Sequence, residues 1–169
     1  MSGITGAGAV RKSGIVGEFP AGHVIQVASR TRAGNSSVVA TTSLTKPLSS
    51  SVAQWYVTID DVDANNNVYI IMTFATFRVG SQWVNHGGGA GIFRGSTNIF
   101  ETHVSANSMR WSSASSNNEA ATLDTIHCFD TSPAAGSNTY FLGIKSDYSS
   151  VSIHVIGGSA THTAMEIKA

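Results

Sequence analysis

The stretch Asn67–Val79, NVYIIMTFATFRV, decides the reading of this sequence. Val68, Ile70, Met72 and Phe74 alternate with Tyr69, Ile71, Thr73, Ala75 and Phe77, so both faces are largely apolar. A run of β-branched and aromatic residues without Gly or Pro, entered from the turn-rich DDVDANN at 60–66, reads as one long central strand buried on both sides at its middle. At about 3.3 Å per residue it extends roughly 40 Å, against ~17–20 Å for an ordinary strand, so it crosses a whole layer or bends between two.

On either side of this strand the pattern is strand and turn, with hardly a helical window. Residues 24–27 make a first strand, 37–41 a second, and 52–59 a third in which Trp55, Val57 and Ile59 share a face. After the central strand comes GSQWVNHGGGAG at 80–91, a loop rich in Gly, and then strands at 91–93 and 98–104. The polar stretch 105–119, with SSASSNN, is a long surface loop. Residues 121–129 alternate Leu123, Thr125, His127 and Phe129 against Thr122, Asp124, Ile126 and Cys128. Strands at 140–144, 151–156 and 162–167 complete the set. Short strands separated by polar turns predict an all-β fold, an antiparallel sandwich or jelly roll, with a closed barrel as the other arrangement the pattern allows. No repeat of 20 to 50 residues suggests a propeller or solenoid.

Composition bounds the rest. A length of 169 residues suits one domain with a sizeable core. Only 12% of the residues are charged and the formal net charge is zero, against ~25% charged in ordinary soluble domains. Solubility therefore rests on the 40 Ser and Thr and 10 Asn residues, which suit exposed strands and turns. So little charge offers weak repulsion against self-association, and no basic face is available for nucleic acid. The single Cys128 rules out an internal disulfide framework and is read as a small buried apolar group. No run of ~18 apolar residues and no signal-peptide pattern marks the chain for a membrane or for secretion.

Residues 1–22 differ from the rest of the chain. Six glycines break any period there, while Ile4, Val10, Ile15, Val16 and Phe19 are too irregularly spaced to form one face. The segment is read as an extended arm, reaching up to roughly 70 Å, whose apolar side chains fill pockets on another surface. A frayed leader is the alternative. Ile15, Val16 and Phe19 favour the arm, because such side chains are costly to leave in water. The domain is then 23–169.

Candidate chemistry is sparse. Asn85-His86-Gly87-Gly88-Gly89 has the look of an esterase oxyanion loop, but no G-x-S-x-G exists for it to serve, so a flexible turn is the reading and no enzyme is expected. Asp61-Val62-Asp63-Ala64-Asn65 opens like a calcium loop, yet Asn66 stands where Gly is needed and Met72 where a bidentate Glu should be. An Asx-type turn explains those residues, with a different calcium geometry using Asp60, Asp61 and Asp63 left open. The six histidines, at 23, 86, 103, 127, 154 and 162, show no metal spacing, and no cofactor is expected. Trp83 and Trp111 are the candidate ligand or host contacts, set against a role in capping the core or a subunit contact.

Four phrases carry a resemblance: PAGHVIQVASRT at 20–31, IDDVDANNNVYIIMTF at 59–74, FRGSTNIF at 93–100 and the closing TAMEIKA at 163–169. Together they resemble the β-sandwich module recurrent in virion structural proteins of tailed phages, especially those of cyanobacteria and marine bacteria. The resemblance covers nearly everything after residue 20 and includes no catalytic signature. It implies a small jelly roll, similar to the tumour-necrosis-factor and complement type, that assembles as a homotrimer on the phage particle. Members often end a longer fibre; here the module begins almost at once, which favours a short knob on the capsid exterior. The expectation is a virion protein made in the host cytoplasm, a decoration or cement protein bound to the major capsid protein. Arg11, Lys12, Ile15, Val16 and Phe19 form its capsid-binding arm, and neither nucleic acid nor membrane is a partner. A tail-fibre tip or receptor-binding knob is the alternative, followed by a soluble carbohydrate-binding sandwich.

Overall fold

In the computed structural model the described residues are 20–32, 34–36, 39–49, 52–79, 86–102, 110–111, 121–146 and 152–169. Residues 1–19 of the proposed arm (1–22), residues 80–85 with Trp83, and all but 110–111 of the polar loop expected at 105–119 lie outside them. The central strand has the predicted bounds, Asn67–Val79, and lies between two neighbours in the middle of a sheet. Val68, Ile70, Met72 and Phe74 are fully buried, as a period of two requires for one face. The opposite face is not: Tyr69, Ile71, Thr73 and Ala75 are only half-buried, which corrects the expectation of burial on both sides.

The elements in chain order are β1 (Val24–Arg32), β2 (Leu48–Ser49), β3 (Val52–Ala53), β4 (Tyr56–Val62), β5 (Asn67–Val79), β6 (His86–Arg94), β7 (Thr97–Glu101), β8 (Arg110–Trp111), β9 (Ala121–Asp130), β10 (Gly136–Ser146) and β11 (Ser152–Ile167). One sheet has the order β1-β11-β5-β9; the other has β4-β10-β6-β7, with β8 also on β6. All the pairings are antiparallel. Apart from the short β2–β3 ribbon and β8, successive strands change sheet at every step except the β6–β7 hairpin. The two inner faces meet in one apolar cluster that includes Trp55 just before β4, Val57 and Ile59 from β4, Ile92 from β6, Tyr140, Leu142 and Ile144 from β10, and the buried row of β5. Such an arrangement is an all-β sandwich, and none of the described residues forms a helix. Hence no helix among the described residues is long and apolar enough to cross a membrane.

Several expected boundaries move. Of the strand expected at 37–41, residues 37–38 lie outside the described residues and 39–41 hold a bridge between Val39 and Ile153. From there the chain crosses the side of the sandwich: Ser36 N and Val39 N donate to Val155 and Ile153 of β11, and Thr45 N then donates to Ile144 of β10. The third strand divides, because Trp55 sits in a bend between β3 and β4. The last two expected strands are one, β11, interrupted by an irregularity between Ile156 and Thr161.

The glycine-rich segment is the largest correction. His86-Gly87-Gly88-Gly89 is the start of strand β6, paired with β10 from Gly88 opposite Ser146 through Arg94 opposite Tyr140. Further along β6 at Gly91, and beside it at Gly143 of β10, glycine is needed for closeness, not for a turn. A Cβ on Gly91 would lie 2.6 Å from Leu44 Cδ2 and closer still to the Phe100 carbonyl, and one on Gly143 would lie 2.7 Å from the Phe93 ring and 2.9 Å from Leu44 Cγ. The crossing segment thus lays Leu44 flat on β6 and β10, which only bare backbone permits.

Buried polar groups pin one end of the sheet on both sides of β5, where Asp130 of β9 and Glu166 of β11 both stand opposite Val68. On one side, Arg94 of β6 donates to both Asp130 oxygens at 2.9 and 2.8 Å, and Tyr140 OH of β10 donates to the same carboxylate at 2.9 Å. Burial, joined by the adjacent carboxylate, pushes the Tyr140 phenol well above its usual range. On the other side, the fully buried Glu166 accepts from Gln26 Nε2 at 2.7 Å, Asp63 N at 3.0 Å and Asn66 Nδ2 at 2.6 Å. A buried carboxylate is tolerable when several donors surround it.

Candidate interface

The outer face of the β1-β11-β5-β9 sheet is built by the residues that alternate with the core. Register lines them up in rows. Val27 stands opposite Met165, Met165 opposite Tyr69 and Tyr69 opposite Phe129, giving an apolar row across all four strands. Ser29, Thr163, Ile71 and His127 form the next row; Thr31, Thr161, Thr73 and Thr125 form a third. A short fourth row pairs Ala75 with Leu123. Not one Asp, Glu, Lys or Arg is in these rows.

Exposure makes the face unusual. Phe129 is 56% exposed, Val27 58% and Leu123 71%, and on an isolated sandwich these belong to one surface. Tyr69 stacks on Phe129 with ring centroids 4.7 Å apart and meets His127 edge-on at 5.7 Å. With strands ~4.8 Å apart and rows ~6.7 Å apart, four strands by four rows cover roughly 400 Å² of mixed apolar and hydroxyl surface without charge. The hydroxyl rows do not oppose burial, since Ser29 Oγ pairs with Thr163 Oγ1 at 3.2 Å and Thr73 Oγ1 with Thr125 Oγ1 at 3.0 Å. Hydroxyls already paired within the sheet lose little when water is removed.

Sequence-derived candidates fare unevenly. Arg11, Lys12, Ile15, Val16, Phe19 and Trp83 lie outside the described residues. Trp111 lies in β8, with its backbone opposite His86. The DDVDANN segment is the expected turn: Asp63 Oδ1 accepts from Asn65 N at 2.9 Å and Asn65 Nδ2 at 3.0 Å, while Asp61 takes a φ of 55° where the β4–β10 register shifts. Among the described residues no three His, Cys, Asp or Glu are grouped to hold a metal. Cys128 is half-buried, its thiol pushed up to about 11 by burial and then by Asp130, so at neutral pH it is a poor nucleophile.

No protein-family model matches the chain, and no curated protein matches it either. Among solved structures it is similar to dimeric latent PorU from Porphyromonas gingivalis, with TM-score 0.44 and 6% identity over 92% of this chain and 14% of that one. It is also similar to the PRD1 vertex protein P5, with TM-score 0.31 and 14% identity over 86% of this chain and 99% of that one. Likenesses of this size carry nothing about function.

Proposed function

We propose that this chain is a virion structural protein of a tailed phage, a jelly-roll sandwich that trimerises through the outer face of the β1-β11-β5-β9 sheet and decorates the capsid. The carrying observation is that face: three apolar side chains more than half exposed, paired hydroxyls and no charge. A closed cyclic assembly of three copies removes it from water without leaving an open end for further growth. The strand order supports the jelly roll, because successive strands alternate between sheets everywhere except the β6–β7 hairpin. The phrases at 20–31, 59–74, 93–100 and 163–169, with their likeness to phage virion modules, support the virion.

In this reading residues 1–22 tie the trimer to the major capsid protein, through Ile15, Val16 and Phe19 and with Arg11 and Lys12 beside them. The start of the described chain is tied to the end of β11, where Gly22 N donates to Lys168 O at 2.7 Å and Lys168 N to His23 O at 2.8 Å. The protein works by adding contacts across the shell and needs no catalytic group. Locating the chain on assembled particles by electron cryo-microscopy tests this: density on the capsid at hundreds of copies is expected, whereas density confined to the tail tip would replace it with the receptor-binding knob.

A further inference from the structure

The uncharged outer face holds one side chain that acquires a charge near neutral pH. In its four rows Tyr69 and His127 are the titratable residues, and no Asp, Glu, Lys or Arg stands with them. Histidine is the side chain whose protonation ordinarily changes between about pH 5 and 8. His127 stands on the edge strand β9 opposite Ile71, between Thr125 and Phe129 on the same face. It is exposed, so on an isolated chain water solvates either form of the ring.

The surroundings of this imidazole offer nothing to a positive charge. Further along its row are Thr163 and Ser29, whose hydroxyls bond to each other. Its ring contact is Tyr69, at 5.7 Å between centroids. The carboxylates of β9 lie on the other side of the strand, Asp124 accepting from the buried Thr76 at 3.4 Å and Asp130 held by Arg94. His162 lies on the inner row and acts on the fold of each copy, not on the outer face.

Resting on the trimer proposed above, whose contact is this face, we propose that His127 makes assembly pH-dependent: the covered face accepts the neutral ring and rejects the imidazolium, so acid returns the trimer to monomers. Covering the face strips water from the ring. A neutral imidazole tolerates that, whereas an imidazolium loses its hydration and finds no counter-charge in the rows. An aromatic neighbour replaces little of what the ion loses. Cyclic symmetry brings His127 of every copy to an equivalent position, so three protons leave as one trimer forms. Below the range in which the ring charges, the association constant should then fall by up to about a thousandfold per pH unit, about tenfold for each site. A carboxylate supplied by the neighbouring copy would reverse the sign, and acid would tighten the trimer.

Sedimentation velocity of the parent chain, His127→Asn and His127→Lys at about pH 7.5 and about pH 5.5 tests this, with near-ultraviolet circular dichroism confirming that each is folded. The parent is expected to be trimeric at the higher pH and to dissociate toward 17.6 kDa at the lower. His127→Asn should be trimeric at both, and His127→Lys, charged throughout, a folded monomer at both. A parent that is trimeric at both pH values would overturn the switch and leave the trimer standing. Dissociation that persists in His127→Asn, a trimeric His127→Lys, or a trimer that tightens in acid would also overturn it. A parent that is monomeric at both pH values would remove the trimer and the switch together.

Discussion

Phe74 has no exposed surface and sits on the inner row of β5, where its ring holds the two sheets apart. Phe74→Ala should cost ~3–5 kcal/mol, against ~5–15 kcal/mol for a whole domain, so the thermal midpoint of the variant should fall steeply. His162 makes a different demand. Burial first, and Arg30 second, pull its imidazole down to about 4 from 6.5. The unfolded chain therefore takes up this proton before the folded one does, and stability is complete above about pH 6.5, declines as pH falls, and loses its last increment near pH 4. The whole decline between those two pH values is about 3 kcal/mol. Urea titrations at pH 7 and pH 5 should show the decline, and His162→Leu should flatten it; an equal slope in the variant would place the titrating group elsewhere. Residue-level facts of this kind were only partly legible. The row Trp55, Val57, Ile59 is visible as alternation, whereas in β9 the sequence alternates without saying which side is inside. The structure buries Asp124, Ile126, Cys128 and Asp130 to some degree and leaves Leu123 and Phe129 out. Simple hydrophobicity would choose otherwise, because the partner that makes Asp130 an interior residue, Arg94, is 36 positions away.

At the scale of elements, β5 was readable because thirteen residues without Gly or Pro admit one conformation. Strand β6 was not, since glycines at 87, 88, 89 and 91 are the ordinary signal of a loop. For Gly91 the reason lies in long-range packing: Leu44 from the crossing segment and the carbonyl of Phe100 from β7 occupy the space that a side chain would need. Gly91→Val should therefore disrupt the β6–β7 hairpin and lower stability by more than the ~1 kcal/mol typical of a substitution. Amide exchange would localise the effect, with faster exchange at residues 91–101 and unchanged exchange in β11. A variant as stable as the parent would mean that Leu44 does not lie on β6. The split of the third strand and the merging of the last two have a similar origin, since a bend at Trp55 and an irregularity in mid-strand depend on partners that local pattern does not reveal.

For the whole molecule, the decisive feature is assembled from four strands distant in sequence. No single strand announces it. Val27, Tyr69, Phe129 and Met165 become one row only through the register, and the abundance of Ser and Thr was the sequence's sole hint that a sheet face would be polar without charge. Charge placed on that face should oppose association while leaving the core alone, because Ile71 and Thr73 point away from it. The mass of the particle in solution tests the trimer most directly. Sedimentation velocity at micromolar concentration should give three times 17.6 kDa for the parent chain and 17.6 kDa for a folded Ile71→Lys, Thr73→Lys variant. A parent chain that sediments as a 17.6 kDa monomer, or a variant that remains trimeric, would contradict it.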